Sequence, residues 1–305
     1  MQGNIDEIVL NFNASSLFLL NILLGFIMFG VALDLKVEDF KRILSQPKAS
    51  LVGLLSQWVL LPIITLLIIY VMQPQISIAL GMLLVAACPG GNISNFISKM
   101  AGGNTALSVS LTALTTSAAI VMTPLSFTFW SSFLPEAESL KNSISLNVWD
   151  MFSTIIYLIL VPVLIGVLFA KYRPKLTEKI KGPINILSII IFSAFVIIAF
   201  SKNADYFISY IHVIFVLVLL HNGFAFMGAY WLAKVFGLAA SDRKAISIET
   251  GIQNSGLALI LIFNFFDGLG GMAIVAGWWG IWHIISGLTL AFFWSNKKVL
   301  SFNRN

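Results

Sequence analysis

A single cysteine, Cys88, stands in the whole sequence, inside an apolar segment. One thiol builds neither a disulfide framework nor a thiolate metal site. Charge is also scarce: Asp, Glu, Lys and Arg make up 10% of the 305 residues, against 58% hydrophobic residues and a mean hydropathy of +0.94. So few charges cannot coat a soluble domain of this length, and the chain reads as an integral membrane protein, a bundle of spans in contact with a lipid bilayer. Signatures of chemistry are missing as well. There is no HExxH, no CxxC, no Walker-type glycine loop and no clustered His and carboxylate spacing. An intramembrane enzyme would need a nucleophile beside a base, and His221 and His283 alone do not supply that arrangement, so the chain is not read as an enzyme. The first sixteen residues carry no Lys or Arg but do carry Asp6 and Glu7, unlike a secretory signal. The first apolar segment is therefore expected to remain as a span.

A span needs about 20 mostly apolar residues. Nine stretches meet that requirement, at roughly 16–34, 48–72, 76–99, 104–133, 148–170, 184–201, 207–234, 241–266 and 270–295. With nine spans, sixteen of the eighteen Lys and Arg residues fall on one side, leaving only Lys141 and Lys202 on the other. The net charge of +5 is thus a topology signal rather than a nucleic-acid surface. By the positive-inside rule the N-terminus is expected outside and the C-terminus in the cytoplasm of a cell membrane. Between the first two spans Val37, Phe40, Ile43 and Leu44 recur at helical spacing, with Glu38, Asp39, Lys41 and Arg42 between them. That pattern predicts a short interfacial helix. The stretch 134–147, with two glutamates and several serines, reads as a polar outer connector.

Two spans carry polar residues where an apolar helix should continue. In ISIETGIQNSGL, residues 246–257, Glu249 is followed by Gly251, Gln253, Asn254, Ser255 and Gly256. A carboxylate near the bilayer centre costs about 2.5–3.5 kcal/mol on insertion scales, so it faces a partner, an ion or water rather than lipid. Small polar side chains after it can take up backbone groups released by an unwound turn. A Glu in the first turn of an unbroken helix is the alternative reading. In ACPGGNISN, Pro89, Gly90 and Gly91 precede Asn92, Ser94 and Asn95, again predicting a break. Ser108 and Thr112 share one helix face in the next span. Gln57, His221, Asn222 and His283 also lie mid-span and read as interhelical hydrogen-bonding groups before ligands. The Trp278, Trp279 and Trp282 cluster fits either an aromatic belt or a cavity lining.

Broken helices at matching places in two halves point to a transporter's midplane site. Spans five to nine form a five-helix unit broken in its fourth member. Spans one to four fit the same unit without its first helix, and an odd unit length requires the two to lie inverted. The expected fold is all-α: nine transmembrane helices in a 4+5 inverted repeat, with two broken helices that cross.

The stretches FGVALDLKVEDF, SQWVLLP, CPGGNISN, GGNTALSVSLT, LHNG, IETGIQNSG and WHIISG occur in this order over nearly the whole chain. Together they resemble the bile acid:sodium symporter family, including its bacterial members. The resemblance implies one transporter domain over 1–305, with a panel (16–34, 148–170 and 184–201) moving against a core (48–133 and 207–295). It implies a first sodium site of Ser94, Asn95, Ser108, Thr112 and Glu249. A second would use Gln57, Glu249 and Gln253 with the carbonyls of Thr250 and Ile252. Substrate is implied near Asn92, Ile93, Asn254, His283 and Ile284, with Ile284 standing where relatives often carry Asn. The implied function is sodium-coupled uptake of an organic anion, bile-acid-like or a small carboxylate, by alternating access. A proton-coupled carrier or exporter of the related fold of arsenite and auxin carriers, or a non-transporting membrane receptor, are the alternatives.

Overall fold

The computed structural model describes residues 5, 6, 8, 10, 14–134 and 148–302. The connector expected at 134–147 lies, apart from Leu134, outside the described residues. Among those described the chain is helical, with one isolated antiparallel bridge between Gly90 and Gln253. The helices are α1 (Ala14–Leu33), α2 (Val37–Ser45), α3 (Pro47–Leu55), α4 (Leu61–Met72), α5 (Ile76–Ala87), α6 (Ile93–Met100) and α7 (Thr105–Ser131). They continue as α8 (Val148–Ile155), α9 (Val161–Tyr172), α10 (Pro174–Lys202), α11 (Ala204–Val235), α12 (Ala240–Gly251), α13 (Ser255–Phe265) and α14 (Gly270–Phe302). Long apolar runs fold this way because a helix satisfies its own backbone groups where no water can.

Two joins are π-helical: Ser56–Leu60 links α3 to α4, and Ile156–Leu160 links α8 to α9. Each sits just ahead of a proline, Pro62 or Pro162. Proline has no N–H to give to the carbonyl four residues back and its ring crowds that carbonyl, so a widened turn relieves both problems. At Pro62 the carbonyl in question belongs to Trp58, and it accepts from the Trp130 indole at 3.3 Å.

Among the described residues, five helical stretches are long and apolar enough to cross a membrane: 47–72, 105–131, 152–172, 204–235 and 270–295. A sixth span arises if Phe18–Leu33 and Glu38–Ser45, bent by 65°, count as one. The protein is therefore a multi-pass membrane protein. Two of the other expected spans are divided: Ile76–Ala87 and Ser255–Phe265 are short apolar helices, each bounded by a break. Here 76–100 is split by residues 88–92 and 240–265 by residues 252–254, as the proline, glycine and polar runs require.

The expected interfacial helix forms as α2, but its polar face needs correction. Asp39 is buried, accepting from the Lys36 backbone N–H at 3.0 Å and pairing with Arg42, while Leu44 is exposed. A capping carboxylate turns inward to the free amides of the first turn, and that satisfies them better than solvent exposure of Asp39 would.

Packing places the broken helices centrally. Every residue of α5 from Ser77 to Ala87 is buried, and α5 lies against α14 so closely that a Cβ on Gly81 would stand 2.7 Å from the Met272 Cα. By contrast α1 packs chiefly on α9 and α10. At Gly166 an added Cβ would meet Ala32 at 2.5 Å, so small residues set how near α1 and α9 come.

Candidate functional site

The two breaks meet. Gly91 N–H donates to the Ile252 carbonyl at 2.8 Å and Asn254 N–H to the Pro89 carbonyl at 2.8 Å, so each unwound segment satisfies groups freed in the other. Glycine is needed for that approach. A Cβ on Gly90 would collide with the Glu249 carboxylate, and one on Gly91 would press the Gln253 carbonyl at 3.2 Å.

Beside the crossing, Glu249 is fully buried and ringed by hydroxyls from two other helices. Ser94 on α6 donates to its Oε2 at 2.6 Å; from α7, Ser108 reaches Oε2 at 2.9 Å and Thr112 reaches Oε1 at 2.5 Å. Asn95 completes the group, its Oδ1 lying 2.9 Å from Ser108 Oγ and 3.1 Å from Thr112 Oγ1. Thus Ser94, Asn95, Ser108, Thr112 and Glu249, widely separated in sequence, form one cluster. Its proton supply is short. Ser108 has one proton and two acceptors in reach, and Thr112 has one for Glu249, Asn95 and the Ser108 carbonyl at 3.1 Å. Oxygen lone pairs therefore crowd the Glu249 carboxylate, whose hydrogen-bond partners are hydroxyls and include no Lys or Arg. That donor set suits a hard cation, which takes oxygen ligands.

A second group adjoins it. Gln57 sits in the π-helical turn, buried, with neither side-chain atom hydrogen-bonded. Its neighbour Ser56 lies 2.6 Å from Thr250 Oγ1, fixing that turn on α12 next to Glu249. Gln253 donates through Nε2 to the Thr250 carbonyl at 2.8 Å and leaves its own buried Oε1 unpartnered. The Ile252 carbonyl is the one already taken by Gly91, with a second lone pair to spare.

The residues expected around substrate are arranged more loosely. Asn92 and Ile93 open α6 and Asn254 opens α13, all half-buried at the crossing. Asn254 Oδ1 caps its helix by accepting from Leu257 N–H at 3.0 Å, as Asn104 does for α7 from Leu107 at 3.1 Å. His283 is buried with Nδ1 unpartnered, and Ile284 follows it, half-buried. One turn on, Gly287 brings α14 against the break: a Cβ there would lie 3.0 Å from Ile252 Cδ1.

His221 takes the interhelical role expected of it. Its Nε2 lies 2.7 Å from Thr65 Oγ1, whose hydroxyl also reaches the Leu61 carbonyl at 2.8 Å. The tryptophans form an inner aromatic cluster: Trp279 packs on His221 at 4.7 Å, and Trp278 and Trp282 stack beside Phe215. Sequence reasoning missed two contributors. Ser56 looks like an ordinary small membrane residue, and Gly90 reads only as a helix breaker until the carboxylate beside it is seen.

A profile described as Sodium Bile acid symporter family matches residues 21–210. An uncharacterized sodium-dependent transporter, YocS of Bacillus subtilis, is 32% identical over 294 residues, 95% of this chain and 88% of its own length. The probable sodium/metabolite cotransporters BASS2 of rice and BASS1 of Arabidopsis thaliana are each 30% identical, over 90% and 88% of this chain. This chain spans 63% and 64% of those two plant proteins, so they carry further sequence of their own.

Proposed function

Because the chain belongs to the Sodium Bile acid symporter family, we propose that it takes up an organic anion together with sodium by alternating access. The observation that carries this reading is the proton-poor oxygen cluster around Glu249. Sodium there supplies the missing positive charge, and the hydroxyls of Ser94, Ser108 and Thr112 turn lone pairs rather than protons toward it. Gln57, Gln253 and the carbonyls of Thr250 and Ile252 form a second site, with Glu249 shared by both. The cargo is a monoanion, bile-acid-like or a small carboxylate, held near Asn92, Ile93, Asn254, His283 and Ile284. No Lys or Arg lies at the crossing, so amides and half-helix N-termini receive its charge. Nine spans in a 4+5 inverted repeat place the N-terminus outside and the C-terminus in the cytoplasm of the cell membrane. Residues 16–34, 148–170 and 184–201 then serve as the panel, and 48–133 and 207–295 as the core.

Purified protein in liposomes tests this reading. An inward sodium gradient is expected to drive accumulation of a labelled monoanion from a panel of carboxylates and sulfonates, and Glu249→Gln is expected to abolish it while remaining folded. Wild-type uptake in the Gln variant overturns the role of Glu249. A second reading draws on the same cluster, since a proton on Glu249 would also relieve the crowding. Accumulation driven by a pH gradient in sodium-free medium selects that proton-coupled carrier.

A further inference from the structure

The carbonyls released at the end of α12 are each claimed by a different element. Thr250 serves Gln253 within the break, Ile252 serves Gly91 of the partner break, and between them Gly251 accepts from Asn222 Nδ2 on α11 at 2.7 Å. Asn222 is fully buried, and its other end, Oδ1, accepts from the Ser286 hydroxyl on α14 at 2.6 Å. The Gly251 carbonyl can only accept, so the amide orientation is fixed by its partners. Ser286 has a second acceptor in reach, the His283 carbonyl of its own helix at 3.3 Å. One proton thus chooses between a bond that joins two helices and one that stays within α14.

We propose that Asn222 and Ser286 are positioning residues that couple the unwound segment at 251–254 to the turn of α14 bearing His283 and Ile284. The inference rests on the sodium reading of the crossing and adds how its occupancy reaches the substrate side. A cation drawing in the carbonyls of Thr250 and Ile252 reorients the peptide between them, and with it Gly251. Asn222 then follows the carbonyl or loses it. When the amide turns, the Ser286 proton falls back to His283, and the α14 turn changes its hydrogen bonding without either ligand touching it. A hydroxyl with two acceptors is a discrete two-position element, the kind of part that carries coupling between sites. Filling the same space with apolar side chains would leave no polar groups to satisfy, but also nothing to switch.

The test needs no knowledge of the substrate. Ile284→Cys provides a thiol on the turn in question, and the native Cys88 is buried, so background labelling is low. The full-length protein is labelled with a methanethiosulfonate reagent in sodium chloride and in choline chloride, and sodium binding is measured in parallel by calorimetry. Sodium is expected to change the labelling rate at position 284 by about fivefold or more. Adding Ser286→Ala, or Asn222→Leu, which removes both the donor to Gly251 and the acceptor for Ser286, is expected to erase that response while calorimetry still records sodium. Ser286→Thr restores the hydroxyl and is expected to restore the response. A response retained in Ser286→Ala, or absent from Ile284→Cys while sodium binds, overturns the relay and leaves the sodium reading standing. Absence of sodium binding to the unsubstituted protein overturns both.

Discussion

Glu249 is held by Ser94 on one helix and by Ser108 and Thr112 on another, so its position depends on three elements keeping their places. A buried carboxylate without positive charge nearby is costly, and two cations sharing it would offset that cost while repelling each other less than two unshielded ions. Sharing has a measurable consequence. Thr112→Ala removes an oxygen found only in the first cluster, and Gln57→Ala removes an amide found only in the second. Each is expected to weaken one phase of a sodium titration by about tenfold, roughly 1.4 kcal/mol, and leave the other near its original value. Equal weakening of both phases by Thr112→Ala would mean one site rather than two. The carboxylate stood out in the sequence as a charge amid apolar spans, whereas Ser94, Ser108 and Thr112 were tied to it only by the resemblance to the symporter family. What Gly90 does was not readable: only in three dimensions does the hydrogen in place of a side chain admit the Glu249 carboxylate.

At the scale of elements, sequence punctuation located both breaks, since Pro89 with its glycines and the run from Gly251 to Gly256 each remove what a helix needs. Their mutual hydrogen bonding was legible only as an expectation of crossing, because residues 89–91 and 252–254 are far apart in the chain and meet through packing. The π-helical turn was not legible. Pro62 lies five residues after Gln57, but the widened turn that holds Gln57, with the Trp58 carbonyl taken by Trp130 of another helix, appears only in three dimensions. One extra residue in a turn rotates everything before it by about 100° relative to a regular helix. Pro62→Ala restores an N–H for that carbonyl and favours a regular turn, which would swing Gln57 away from α12. The expected outcome is a loss of the second sodium phase, as in Gln57→Ala, without a lowered melting temperature. Unchanged titration in Pro62→Ala would show that packing of Ser56 on Thr250 holds the turn open without the proline.

Across the whole molecule, contacts sort the helix ends into two groups. At one end Lys244 Nζ reaches the Ala101 carbonyl at 2.7 Å and Asn104 reaches Asp242 at 2.8 Å, joining the end of α6 with the starts of α7 and α12. Asp34, closing α1, meets Asn185 at 2.8 Å and Lys181 at 3.8 Å near the start of α10. At the other end Tyr70 donates to the Phe133 carbonyl, and Asp6 accepts from Ser77 N–H at the start of α5. Lys244 and Lys181 take part in these contacts, and under the proposed nine-span arrangement both fall on one side, which the positive-inside rule would assign to the cytoplasm. Exposed positions make this testable: a cysteine replacing Gln75 is expected to react with an impermeant thiol reagent on intact cells, and one replacing Lys175 only after lysis. Orientation then fixes the sign of the electrical effect. Two sodium ions with one monoanion carry a single net positive charge inward, so a negative interior assists uptake by up to about 2.3 kcal/mol per 100 mV. In liposomes loaded with potassium, valinomycin is expected to accelerate sodium-dependent accumulation, and the acceleration is expected to vanish when potassium is equal on both sides. A rate indifferent to the diffusion potential would mean one sodium per monoanion, and the second oxygen cluster would then have to bind a sodium that is not released.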